Sequence, residues 1–176
     1  MQETFVAFLS NLTPDTFQAV RTLVVNHPKY DGYSQDLRQM EDAYQQKRYA
    51  DVKNTFAQAQ PNLLLSPGAH LLLSLTLKDE GNAKGSEMER FICFRCVEGI
   101  KLTGDGTQEK PYLVLRTSDE YDMLNALGKQ FASQHLIHGE HGKSYDKMLC
   151  ADGSEVWFDI TEMMAAMARR LNSGGK

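Results

Sequence analysis

The chain has 176 residues, 41% hydrophobic and 24% charged, which is enough apolar material for one full domain or two small ones and too much for a disordered segment. Its net charge of -4 comes from interspersed acids and bases, so no basic face is offered to a phosphate backbone and nucleic acid is not an expected partner. No segment approaches the roughly 18 apolar residues of a membrane span, and the start MQETFVAFLSNLTPD lacks a cationic, apolar leader; the expectation is a soluble cytoplasmic protein with Cys93, Cys96 and Cys150 as free thiols.

Phe5, Phe8, Leu9 and Leu12 recur at helical spacing and predict a short first helix. Thr13 and Pro14 supply an N-cap and a pre-set first residue for a second, striped by Phe17, Val20 and Val24 and ending before Pro28. After the loop YDGYS, a third helix carries Leu37, Met40 and Tyr44 and a fourth carries Tyr49, Val52, Phe56 and Ala59, forming a helical hairpin. Ser66 and Pro67 open a fifth, in which Leu71, Leu72, Leu73, Leu75 and Leu77 are apolar nearly all round, the pattern of a helix covered on more than one side. Ser86 and Glu89 have capping-box spacing and predict a sixth, with Met88, Phe91, Ile92 and Cys96 on its stripe and an end near Gly99.

The period then changes. PYLVLR at 111–116 reads as a short strand, and T-S-D-E at 117–120 as a second capping box opening a helix with Tyr121, Leu124, Ala126 and Leu127, closed by Gly128. Runs at 134–138 and 145–150, a turn at Asp152 and Gly153, and the alternation of Val156, Phe158 and Ile160 predict a small antiparallel sheet. A last helix starting near Glu162 carries Met164, Met167, Ala168 and Leu171, and the SGGK tail is expected to fray. The resulting fold class is α+β: a helical array over residues 1–101 packed tightly on an α+β module over 102–176.

Two resemblances bear on function. Tyr49, Val52, Phe56 and Ala59 are spaced as in the second helix of a tetratricopeptide repeat, and Met88 and Ile92 follow Val52 and Phe56 by roughly 36 residues, close to the period of that repeat. Such an array implies a groove for another protein or peptide. TGDG at 103–106, P-x-x-V at 111–114, SDEYD at 118–122 and LG at 127–128, with G-x-E-x-W-F-D-I at 153–160, resemble the C-terminal half of a bacterial family of unknown function over residues 90–160. The resemblance implies no catalytic residues; family members often carry an export signal, which the start of this chain does not display.

TGDG lacks the Lys-Ser/Thr of a phosphate loop and reads as a turn in which Gly104 and Gly106 permit positive φ and Asp105 accepts backbone N–H bonds. Cys93 and Cys96 form C-F-R-C well inside a predicted helix, away from the N-terminal dipole that would lower a thiol pKa, and read as small buried hydrophobes. No metal is expected; the residues nearest to a ligand set are His135, His138 and His141 with Glu140, yet in a strand His135 and His138 point to opposite faces. Asp119, Glu120 and Asp122 crowd a first helical turn, where the positive end of the dipole favours carboxylates without any catalysis. The functional expectation is a non-enzymatic protein-interaction or scaffold module without a cofactor, with Tyr30, Tyr33 and Trp157 as exposed aromatic contacts. The alternative is an enzyme or small-ligand-binding protein whose acidic pocket between the halves uses Asp105, Asp119, Asp122 and His135; a third reading builds a metal-dependent fold on the histidines.

Overall fold

The computed structural model describes residues 1–173, with side chains described as far as Leu171; of the SGGK tail expected to fray, Ser173 ends the last helix and the rest lies outside the described residues. The first half forms α1 (Gln2–Ser10), α2 (Pro14–Val25), α3 (Asp36–Gln45), α4 (Tyr49–Gln58), α5 (Pro67–Asp79) and α6 (Ala83–Lys101). Where local signals are satisfied locally, they start helices as expected. Thr13 Oγ1 accepts the Thr16 N–H, Thr16 Oγ1 accepts the Thr13 N–H, and Pro14 takes the first position of α2. Ser66 likewise caps α5 by accepting the Ala69 N–H.

The start of α6 differs from expectation for a tertiary reason. Asn82 caps it, accepting the Gly85 N–H, while Ser86 and Glu89 are spent on α5: Ser74 Oγ donates to the Ser86 carbonyl at 2.8 Å, and Glu89 Oε2 lies 2.6 Å from His70 Nδ1. Polar pairs therefore zip α5 to α6. On α5, Leu72 and Leu73 are buried beside His70, Ser74 and Thr76, but Leu71 and Leu75 stand exposed, so the helix is not covered all round. It packs against α3, α4, α6 and the first helix of the second half.

That second half runs β1 (Tyr112–Leu113), α7 (Thr117–Ala126), β2 (Phe131–His138), a single 3-10 turn at Glu140–Gly142, β3 (Ser144–Cys150), β4 (Glu155–Asp159) and α8 (Thr161–Ser173). The four strands lie in the order β1-β4-β3-β2, and β1 is parallel to β4 while the other pairs are antiparallel. The class is α+β, but the sheet is mixed rather than wholly antiparallel. A helix between β1 and β2 returns the chain to the same end of the sheet, so those strands share a direction; the two hairpins that follow give β4 that direction too. The first strand is also shorter than PYLVLR, because the Val114 and Leu115 backbone is taken by side chains: Arg21 donates to the Val114 carbonyl, Tyr30 to the Leu115 carbonyl, and Asp119 accepts the Leu115 N–H.

The main core crosses residue 101 without a break. It joins Phe8, Phe17, Val20 and Val24 of the first two helices and Ile92, Cys96 and Ile100 of α6 to Met123 and Leu124 of α7, Met148, Val156 and Phe158 of the sheet, and Met163 of α8. A smaller core of Leu37, Met40, Val52, Leu63, Leu72 and Leu73 lies among α3, α4 and α5. Gly99 lets α6 sit directly on Phe17, since a Cβ there would stand 2.4 Å from the ring.

Two outcomes follow from this core. Residues 1–101 expressed alone leave Phe17, Val20, Ile92 and Cys96 without their sheet and α8 partners, and the fragment is expected to aggregate; a soluble fragment with a cooperative circular-dichroism melt would contradict the shared core. In the full chain, Gly99→Ala is expected to cost about 1–3 kcal/mol in urea titration, the range for an overpacked interior.

Candidate functional site

The polar chemistry of the interior gathers at the first turn of α7. Arg116 is its N-cap residue in extended geometry, and its buried guanidinium donates from Nη2 to the Ser34 carbonyl at 2.8 Å and from Nη1 to Ser34 Oγ at 3.1 Å. No side chain caps α7; Asp119, the third residue of the helix, instead reaches back past the N-cap, its Oδ2 accepting the Leu115 N–H at 3.2 Å. The capping box expected at 117–120 is thus not formed, and Glu120 is released from it. Asp122 serves another helix altogether: its Oδ2 accepts the Gly68 N–H at 2.8 Å in the first turn of α5. The approach is close: a Cβ at Gly68 would stand 3.0 Å from that carboxylate, so the Asp122 side chain would have to shift.

Glu120 is wholly buried, at 0% exposure, against Asp146 on the core-facing side of β3. As a carboxylate it would leave both oxygens without a donor. Burial and the neighbouring Asp146 push its pKa to about 10, so it stays protonated. Burial also lifts Asp119 to about 7 against the pull of Arg116, and Asp122 to about 6 against the Gly68 N–H. Burial raises Asp146 as well. Tyr33 stands near the pair, its own pKa raised by burial and by Asp146 and Glu120, with its hydroxyl 3.0 Å from Met164 Sδ. A carboxylic acid beside a carboxylate has the components for acid–base chemistry, but both are shut away from solvent. The adjacent depression, about 300 Å³ and lined by Tyr33, Ser34, Arg116, Ser118 and Tyr121, reaches neither carboxyl.

The sequence candidates divide accordingly. Asp119 and Asp122 come together, close enough that Asp122 adds to the upward shift of Asp119. Asp105 does not join them: its Oδ1 accepts the Thr107 N–H at 3.0 Å and the Thr107 hydroxyl at 2.7 Å, bonds that hold an exposed turn and lower its pKa. In that turn Gly106 has φ +78°, whereas Gly104 is needed for close approach, a Cβ there standing 2.4 Å from the Lys110 carbonyl. His135 is also separate. It pairs with Lys147 on the sheet face opposite Asp146, while His138 pairs with Ser144 and His141 lies exposed in the 3-10 turn. Among the described residues, no group of three or more His, Cys, Asp or Glu could hold a metal ion. Burial pushes the Cys93 thiol up to about 11 and raises Cys96, so neither is a reactive thiolate at neutral pH.

Sequence reasoning missed Asp146 and misjudged Glu120, although both carry a signal. Glu120 precedes Met123, Leu124 and Leu127 at three, four and seven residues, the phase of the apolar stripe; Asp146 alternates in step with Met148 and Cys150. The aromatic contacts also need correction. Tyr30 is buried and donates to the Leu115 carbonyl at 2.6 Å, and Trp157 is buried with Lys147 over its ring and Tyr145 at its edge. Tyr33 is half-buried; Phe91, Phe94, Tyr121 and Phe131 are exposed.

Beside the acid pair the sheet runs out into solvent. β2 pairs only with β3, and every one of its residues is exposed or half-buried. The Gly139 N–H donates to the Lys143 carbonyl, and the register from there places Ser133, His135 and Ile137 in bonded pairs with β3. Gln134, Leu136 and His138 therefore turn their N–H and C=O groups outward. The strand FASQHLIH holds no Lys, Arg, Asp, Glu or Pro, and its bulge lies at the start, between Phe131 and Ser133. Leu136, 49% exposed, lies directly across from Asp146 on the same face of the sheet.

No family model, curated protein or solved structure matches the chain.

The buried acids make a pH prediction. Asp119 and Glu120 have folded-state pKa values above their unfolded ones, so the native protein holds protons that the unfolded chain releases, and stability falls as pH rises from about 5 towards 9. Glu120→Gln keeps the size and polarity of the protonated side chain and removes the titration. Urea denaturation should show a shallower fall for this variant and a gain of about 1–3 kcal/mol over wild type at the alkaline end, the scale of a buried polar group left unsatisfied. An unchanged slope would contradict the protonated pair.

Proposed function

We propose that the protein is a non-enzymatic interaction module that docks an extended polypeptide segment along the free edge of β2. The observation that carries this reading is an edge strand of eight residues, free of Lys, Arg, Asp and Glu, with the backbone groups of Gln134, Leu136 and His138 directed outward. Sheets ordinarily blunt such edges with Lys, Pro or very short strands, and β2 uses none of these. An added strand would gain main-chain hydrogen bonds from the edge, with exposed Leu136 and Phe131 offering apolar side-chain contact.

Burial of the acid pair favours binding over catalysis. Glu120 and Asp146 are sealed, and Asp119 and Asp122 are engaged with the Leu115 and Gly68 N–H groups. The helical array offers less to a partner, because the depression between α3 and α4, about 450 Å³, is lined by polar groups including Gln39, Asp42, Arg48 and Asp51. The tetratricopeptide-like hairpins act in this reading as a scaffold for the α7 corner. Membership of the bacterial family resembled by residues 90–160 and a cytoplasmic location belong to the same proposal; no helix among the described residues is long and apolar enough to cross a membrane.

Selection of random displayed peptides on the immobilised protein tests the docking edge. Selected peptides are expected to shift the NMR amide signals of Gln134, Leu136 and His138 and to bind Leu136→Pro at least about tenfold more weakly, since that change removes an outward N–H and no bond to β3. Failure to enrich any peptide, or shifts confined to Met88, Phe91 and Phe94 of α6 or to the α3–α4 surface, would overturn the proposal.

A further inference from the structure

Resting on the edge reading above, we infer that the segment taken up by β2 is β2 of a second copy of this chain, the two strands running antiparallel about a two-fold axis at Leu136. A two-fold axis sets the same strand against itself, so each side chain must tolerate its counterpart. With Leu136 opposite Leu136 of the second copy, Gln134 meets His138 and His135 meets Ile137. No register of this strand opposes like fixed charges, because residues 131–138 carry no Lys, Arg, Asp or Glu. Leu136 is the one residue that meets its own copy about this axis, and it is an uncharged, 49% exposed leucine.

The backbone supports the same axis. Leu136 is an outward-bonding residue, so the two copies of Leu136 exchange both N–H···O bonds, and Gln134 and His138 do so on either side, giving about six new hydrogen bonds. The two four-stranded sheets become one continuous sheet. On the face shared with Asp146, the half-exposed Leu136 side chains meet at the axis, and the exposed Tyr121 and Phe131, whose rings pack at 5.2 Å, flank the start of the strand. The interface thus joins outward backbone groups to a small apolar centre.

Sedimentation velocity of the full chain from low micromolar to submillimolar concentration tests this, with wild type, Leu136→Lys, Leu136→Glu and an equimolar mixture of the two variants. Wild type is expected to form a dimer. Each variant alone sets like charges across the axis and should dissociate at least about tenfold more readily, while the mixture restores dimer by pairing Lys with Glu. Rescue in the mixture separates a lost interface from a misfolded chain. A wild-type protein monomeric throughout, or a dimer unaffected by either variant, would overturn the inference. A monomer whose β2 still binds the display-selected peptides removes the second copy and keeps the docking edge; a monomer that binds none removes both.

Discussion

The constraint on which the rest of the structure depends is that α7 crosses the sheet with its first turn buried. A single helix joins strands at the two extremes of the order β1-β4-β3-β2, so wherever that helix is fixed, both edges of the sheet are fixed with it. A buried helix start exposes several unbonded N–H groups to a dry environment, and each polar group brought in with it must find a partner nearby. Those partners come from separate parts of the chain. Arg116 takes the Ser34 carbonyl, Asp119 takes the Leu115 N–H and Asp122 takes the Gly68 N–H of α5, while Glu120, packed against Asp146 of β3, and Ser118 Oγ have no hydrogen-bond partner. Three side chains of one short segment therefore hold the loop before α3, the first strand and the start of α5 in one arrangement. The Asp122 contact also ties the smaller helical core to the main one, which apolar packing alone does less directly.

The same crossing explains why β2 lies open. The main core draws on β3 and β4, through Met148, Val156 and Phe158, and on α7 and α8 above them, and none of its residues comes from β2. Delivered to the far side of β3, β2 overhangs that core, held by one row of hydrogen bonds. Its other row faces water. Two charged carboxyls at the foot of the overhang would be costly, and burial keeps Glu120 protonated. A sealed, protonated carboxyl supports the geometry of the corner; the exposed row of backbone groups beside it is where a partner finds unspent hydrogen bonds.

Much of the fold is legible in the sequence because it is local. The stripe of Phe17, Val20 and Val24, with Thr13 and Pro14 ahead of it, needs no tertiary information to start a helix. Legibility fails where a local signal is claimed by a distant partner. Ser86 and Glu89 have the spacing of a cap and serve Ser74 and His70 instead; the T-S-D-E motif turns Asp119 back to the Leu115 N–H and sends Glu120 inward. The parallel docking of the first strand depends on which edge the crossover reaches, and no residue of PYLVLR carries that information. Of the site, the crowding of Asp119 and Asp122 is visible, and the stripe position of Glu120 and the alternation phase of Asp146 are readable once burial is suspected. The outward row of β2 depends on strand order, which spacing does not encode.

Amide hydrogen exchange along β2 in dilute protein measures the central claim most directly. Ser133, His135 and Ile137, bonded to β3, should be protected, while Gln134, Leu136 and His138 between them should exchange at rates close to those of an unstructured chain. Equal protection of all six in dilute protein would mean that the outer row is already bonded, and the account of β2 as an open docking edge would be wrong.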